Sequence, residues 1–204
     1  MIGLDVARHV HGRRDHLAFA ALPLLFAAHQ LTEAFVWWGL QGKVSANVGQ
    51  TATWVYLTFA FVILPTYLPL AIRALEPAGR RRNMMTVLVC VGVIVSAVLL
   101  AAMVRGPVTA TLGDNHVAYN IRLHAGLVVV GAYVLATCGS TVFSGYRHIA
   151  AFGVMNLIAV AVLARATIDG FASLWCAWAA FTSVAIALQL RFSGPHRTVA
   201  EALA

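Results

Sequence analysis

Charge is what this chain has least of. Only 10% of its 204 residues are Asp, Glu, Lys or Arg, while 61% are hydrophobic and the mean hydropathy is +0.83. A soluble domain carries about 25% charged residues, so a soluble enzyme or a soluble binding module is excluded. Cysteine is also scarce. Cys90, Cys138 and Cys176 all fall inside apolar runs, where they are expected as buried thiols, with no disulfide framework and no metal spacing among them. No small-residue cleavage site follows Arg8, Arg13 and Arg14, so the first apolar run is expected to stay as a span rather than leave as a signal peptide. The last apolar run has no lysine, which removes the Schiff-base partner a light-driven retinal protein needs. Neither an internal repeat nor a pair of broken helices is evident, which disfavours a transporter.

What the chain has instead is a series of apolar runs: Leu17–Gly39, Ala52–Ile72, Met84–Val104, His124–Phe143, Ile149–Ala164 and Gly170–Leu190. All but the fifth, which is the shortest, approach the roughly 20 residues a helix needs to cross a bilayer core. The expected fold class is therefore all-α, an integral membrane helix bundle of six spans. It forms one domain over residues 1–204, with a basic N-terminal segment 1–16 and a short C-terminal tail 192–204. Lys and Arg number 14 against 7 Asp and Glu, but they sit between the apolar runs, so they report topology and not a nucleic-acid partner. One set of connections collects Arg8, Arg13, Arg14, Arg73, Arg80, Arg81, Arg82, Arg147, Arg191 and Arg197. The alternate set has only Lys43, Arg105, Arg122 and Arg165. Because short cytoplasmic loops are enriched in Lys and Arg, both termini are expected in the cytoplasm and the protein in the plasma (inner) membrane.

The loops differ in kind. "EPAGRRRN", Glu76 to Asn83, reads as a tight cytoplasmic turn whose arginines can rest against anionic lipid headgroups. "RGPVTATLGDNHVAYNIR", Arg105 to Arg122, is the longest and most polar exterior connection, the kind of loop that often carries function.

Polar residues inside the apolar runs are the candidate site. In the first run His29, Gln30, Glu33 and Trp37 share one helical face, and Glu33 lies about 9 Å short of the outer end at 1.5 Å per residue. An ionisable group at such a depth costs roughly 2.5–3.5 kcal/mol on insertion scales and is by default a functional hypothesis. Glu33 is therefore expected to face the bundle interior, protonated or hydrogen-bonded. From the sixth run, Asp169 starts a row continued by Ser173, Cys176, Ala180 and Ser183. Tyr119, Asn120, Arg122 and His124 stand at the outer entrance of the fourth. These could gather into one outer-leaflet cluster.

Plain packing accounts for several of the same residues. Arg165 precedes Asp169 by four residues and can pair with it locally. His29 and His124 are single histidines on separate helices, as core groups often are. Gly92 and Ser96 mark a close-packing face in the third run. Trp37, Trp38 and Trp54 fit an aromatic belt. Pro65 and Pro69 kink the second run, and Tyr67 fills the gap beside them.

The segments "HQLTEAFVWWGLQG", "FSGYRHIAAFGVMNLIAV" and "DGFASLWCAWAA" together resemble a group of uncharacterised bacterial multi-pass membrane proteins known as a domain of unknown function. The likeness runs over nearly the whole chain and rests above all on His29, Gln30, Glu33 and Trp37, which match a His/Gln-Gln-x-x-Glu-x-x-x-Trp pattern. It implies no activity. Members usually open Met-Cys-Phe-Ser-Ala ahead of an additional apolar helix, whereas this chain opens "MIGLDVARHV". The resemblance thus implies that Ile2 to Val10 is the stump of a further span.

Three functional classes follow. The first is a module binding a small amphipathic or lipid-like ligand in an outer-half pocket around Glu33, framed by His29, Gln30, Trp37, Tyr119, Arg122 and His124, with the long exterior loop as lid. The second is a membrane enzyme acting on an isoprenoid-like substrate with Glu33 and Asp169 as acid and base. The third is a haem or metal carrier through His29 and His124, which no spacing signature supports. The cofactor and the oligomeric state are not specified by the sequence. Membrane lipid is the expected partner.

Overall fold

The computed structural model describes residues 18, 21–113, 116–166 and 173–182. Helix α1 spans Leu22–Leu40 and α2 spans Ala46–Leu57. A π-helical turn over Thr58–Ile63 joins α2 without a break to α3, Leu64–Leu75. Helix α4 covers Arg80–Arg105, α5 Gly126–Val142 and α6 Arg147–Ala166, and residues 173–182 are again helical. The first five apolar runs coincide with helices whose ends differ from the runs by one to six residues, and the sixth is helical over its described part. Among the described residues, three helical stretches are long and apolar enough to cross a membrane: Ala46–Leu75, Arg80–Arg105 and Arg147–Arg165. The basic segment 1–16, Ile2 to Val10, Asp169, Ser183 and the tail 192–204 lie outside the described residues.

The all-α expectation needs one correction. The long connection between α4 and α5 carries strands: Thr109–Leu112 (β1) and Val117–Asn120 (β2) form an antiparallel hairpin, with Thr109 opposite Asn120 and Leu112 opposite Val117. Its turn is closed by the Gly113 N–H donating to the His116 carbonyl at 2.9 Å. The β-branched residues at 109, 111 and 117 around a Gly-Asp-Asn turn are the sequence signal for it. Strand β2 is anchored by Val117, fully buried in a cluster with Val36, Tyr56, Leu57 and Met103.

Close helix approach rests on small residues. A Cβ on Gly39 would lie 2.5 Å from the Gly49 Cα, and one on Gly92 would lie 2.0 Å from the Pro65 carbonyl oxygen. Only glycine lets α1 meet α2, and α4 meet α3, at those distances. The packing face expected at Gly92 and Ser96 is thus present. Its Ser96 hydroxyl donates to the Val62 carbonyl at 2.6 Å and lies 3.1 Å from the Thr66 hydroxyl.

Pro65 leaves one carbonyl of the π turn without a backbone donor. In a π turn the Ala60 carbonyl would be served by the N–H five residues on, and that residue is Pro65, which has none. The Tyr133 hydroxyl of α5 takes its place, donating to Ala60 at 2.7 Å. Tyr67 also does more than fill a gap, since its hydroxyl donates to the Ala18 carbonyl at 2.8 Å.

At the opposite end from the hairpin, the "EPAGRRRN" turn is not wholly surface. Glu76 is buried and accepts from the Ser144 hydroxyl at 2.8 Å and the Gly145 N–H at 2.6 Å, while the Tyr146 hydroxyl donates to the Leu75 carbonyl at 2.9 Å. The end of α3 is thereby latched to the α5–α6 turn. Among the cysteines, Cys138 and Cys176 are buried as expected, but Cys90 is exposed on α4.

Candidate functional site

The third turn of α1 carries the polar stripe, and the fold turns it inward. Glu33 is 5% exposed and His29 is 3% exposed. The hairpin, α2 and the helical segment 173–182 each bring one hydroxyl to the Glu33 carboxyl. Tyr119 of β2 donates to Oε1 at 3.4 Å, and Tyr56 of α2 and Ser173 hydrogen-bond to the same group. From α1 itself the Gln30 amide donates to Oε2 at 3.5 Å. One carboxyl thus serves as acceptor for four side chains drawn from four parts of the chain. The Tyr56 hydroxyl also meets the Cys176 thiol, one turn beyond Ser173.

A column of rings stands beside this cluster. His29 stacks on Tyr56 with centroids 4.0 Å apart and planes 15° apart, and Tyr56 stacks on Tyr119 at 4.8 Å and 16°. Phe59 closes the other side of His29 at 4.6 Å. The stack holds the imidazole in place, yet among the described residues neither His29 nitrogen has a hydrogen-bond partner, nor does the Gln30 carbonyl oxygen. Buried polar atoms normally find partners, so three orphans within one turn of Glu33 mark a place where a polar group from elsewhere fits. Burial, with the Glu33 carboxyl adding to it, holds the Tyr119 phenol above its ordinary range, so Tyr119 stands as a neutral donor.

The other sequence candidates are distributed differently. Trp37 is half-buried and packs on the cluster of Val36, Tyr56 and Val117. Arg122 and His124 are exposed, which corrects their expected place among the groups framing Glu33: the hairpin spends its inward side chains on Val117 and Tyr119, and the chain leaves β2 toward the surface. A buried His29 and an exposed His124 do not share an environment, so the facing pair a haem iron would need is not formed. Among the described residues, no group of three or more His, Cys, Asp or Glu side chains is placed to hold a metal.

Tyr56 is the site residue that sequence reasoning missed. Its signal was a hydroxyl placed three residues after Thr53 inside an apolar run, the same kind of intrusion that drew attention to Glu33. Two cavities flank the region. One is an open groove of about 420 Å³ between α1 and α2, lined by Leu31, Phe35, Val48 and Val55 among others. The other is a space of about 20 Å³ bordered by Phe26, Thr137, Asn156 and Cys176. Glu33 lines neither.

Comparison with curated proteins and with solved structures finds no match. A family of unknown function, DUF6629, matches residues 2–201, and the chain belongs to that family.

Proposed function

We propose that the protein is an integral membrane bundle of six spans in a bacterial plasma membrane, with both termini in the cytoplasm, and that it binds a small amphipathic or lipid-like ligand beside Glu33. The single observation carrying the binding reading is the set of orphaned polar atoms on His29 and Gln30 next to a carboxyl that already accepts from four neighbours. A ligand hydroxyl or amide that both donates and accepts would satisfy the imidazole while its apolar part lies along Phe59 and Phe26, which meet at 6.2 Å. The hairpin is the lid. Its Tyr119 reaches Glu33 through a hydrogen bond of 3.4 Å, long enough to be exchanged for one to a ligand.

The test is to purify the protein in mild detergent, extract the bound organic compounds and identify them by mass spectrometry beside Glu33→Gln and His29→Phe. We expect a compound retained by the wild type and lost from both variants, with helical circular dichroism unchanged. Equal retention by all three would sink the reading. An isoprenoid substrate turned over by Glu33 and Asp169 would be the alternative. It requires a product that differs from the compound supplied and that disappears in Glu33→Gln.

A further inference from the structure

All the acidic side chains among the described residues are buried, and there are two of them: Glu33 beneath the hairpin and Glu76 at the opposite end of the bundle. Both accept hydrogen bonds from hydroxyl groups, and a series of buried polar side chains lies between them. From Glu33 the Tyr56 hydroxyl leads to the Cys176 thiol. Cys176 borders the 20 Å³ space, which also meets Thr137 of α5 and Asn156 of α6. From Thr137 buried hydroxyls continue at Ser140 and Thr141 of α5 and at Ser144 in the turn that follows it, and the last of these donates to Glu76 at 2.8 Å. On α5, Ser140 and Thr141 lie three and four residues beyond Thr137, so both neighbour it on the helix surface, with roughly 5–6 Å between Cβ atoms.

The space in the middle of this line is suited to water. Asn156 is 7% exposed and its Oδ1 has no partner among the described residues, although it borders the space. A volume of that size holds one water molecule, and a water there would find Asn156 and Thr137 as partners. The hydroxyls of Thr137, Ser140 and Thr141 donate to carbonyls of their own helix at 2.8 Å each, which leaves their lone pairs free to receive a proton.

We propose that this line, with a water at Asn156 as its central link, conducts protons between the Glu33 end and the Glu76 end of the bundle. A proton accepted by a hydroxyl or water at one point releases a different proton from that same oxygen to the next. No group is left with a changed proton count once each hydroxyl has rotated back, and the transfer involves no oxidant or reductant. Waters between successive α5 hydroxyls span the steps too long for a direct bond. Conduction rests on the membrane reading above but not on ligand binding, because Asn156 and Glu76 play no part in that site.

The test uses the full chain reconstituted in phosphatidylethanolamine/phosphatidylglycerol vesicles loaded with a pH-sensitive dye, with a potassium gradient and valinomycin to set the potential. Wild-type vesicles should change internal pH several-fold faster than empty ones. Asn156→Leu, which fills the space without a polar atom, and Glu76→Gln should fall to the empty-vesicle rate. Leu127→Ala, on the exposed face of α5, should match the wild type. Flotation and circular dichroism establish that each variant is inserted and folded. A wild type that floats with the vesicles but conducts no faster than empty ones overturns the conduction proposal alone. So does an Asn156→Leu variant as fast as the wild type. Should the chain fail to float, both this proposal and the membrane reading fall.

Discussion

Replacing Glu33 by leucine removes the acceptor on which Gln30, Tyr56, Tyr119 and Ser173 converge, and the consequences differ among the four. Tyr119 is half-buried and Gln30 lies at the edge, so both can turn to water or to a new partner. Ser173 is 6% exposed and cannot do so freely, while Tyr56, fully buried, keeps its contact with the Cys176 thiol. A buried donor left without its partner costs about 1–3 kcal/mol. Interhelical hydrogen bonds within membranes average nearer 0.6 kcal/mol by double-mutant cycle, and leucine recovers some apolar packing. We therefore expect Glu33→Leu to cost about 2 kcal/mol, and the melting temperature in detergent to fall by roughly 4–8 °C for a chain of this size. Glu33→Gln should cost less than about 1 kcal/mol, since the amide oxygen still accepts and its NH2 can donate to two of the three hydroxyls. Thermal unfolding followed by circular dichroism at fixed detergent concentration measures both. A Glu33→Leu protein as stable as the wild type would show that the four contacts contribute nothing, and the reading of Glu33 as the organising acceptor would be refuted.

Tyr133→Phe should remove the donor to the Ala60 carbonyl and lower stability by about 1–2 kcal/mol, measured in the same melts, because that carbonyl has no N–H to return to. Gly92→Val should be worse, at about 3 kcal/mol or more, or should abolish folded expression, since even a Cβ collides with the Pro65 carbonyl. Ser144→Ala should loosen the latch on Glu76 and expose the α5–α6 turn to protease earlier than in the wild type. Single cysteines introduced beside Gly113 and beside Arg81 should be labelled by a membrane-impermeant maleimide from outside at the first position and not at the second. The reverse pattern would overturn the topology.

The helices were legible because hydrophobic runs of about 20 residues have few alternatives, and their ends agree with the structure to within a few residues. The inward face of α1 was legible because His29, Gln30, Glu33 and Trp37 recur at helical spacing in an otherwise apolar run. The hairpin was not read, since Thr109–Leu112 and Val117–Asn120 are each only four residues long and were judged by their polar composition and not by their alternation. Tyr56 was overlooked because tyrosine belongs comfortably at a membrane interface, and its position in one dimension does not show that it will stack on His29. The burial of Glu76 within the tight turn depends on a second turn nearly seventy residues away, a contact no local pattern encodes. The arrangement of Arg122 and His124 failed for a related reason, as residues adjacent in sequence to Tyr119 leave it within one or two positions.

The π turn at Thr58–Ile63 is, in effect, a single extra residue spliced into a helix that runs from Ala46 to Leu75. One residue is worth about 100° of rotation, so everything on α2 is set round by that angle relative to α3. With the insertion, Tyr56 points to Glu33 while Leu64, Leu68 and Ile72 still point to the core. Taking out one residue between 58 and 63 would restore a regular helix and a perfectly good hydrophobic segment, yet it would swing Tyr56 and Thr53 out toward lipid and unstack His29. The site beneath the hairpin is thus a matter of phase, and a length change too small to disturb a hydropathy profile is large enough to dismantle it.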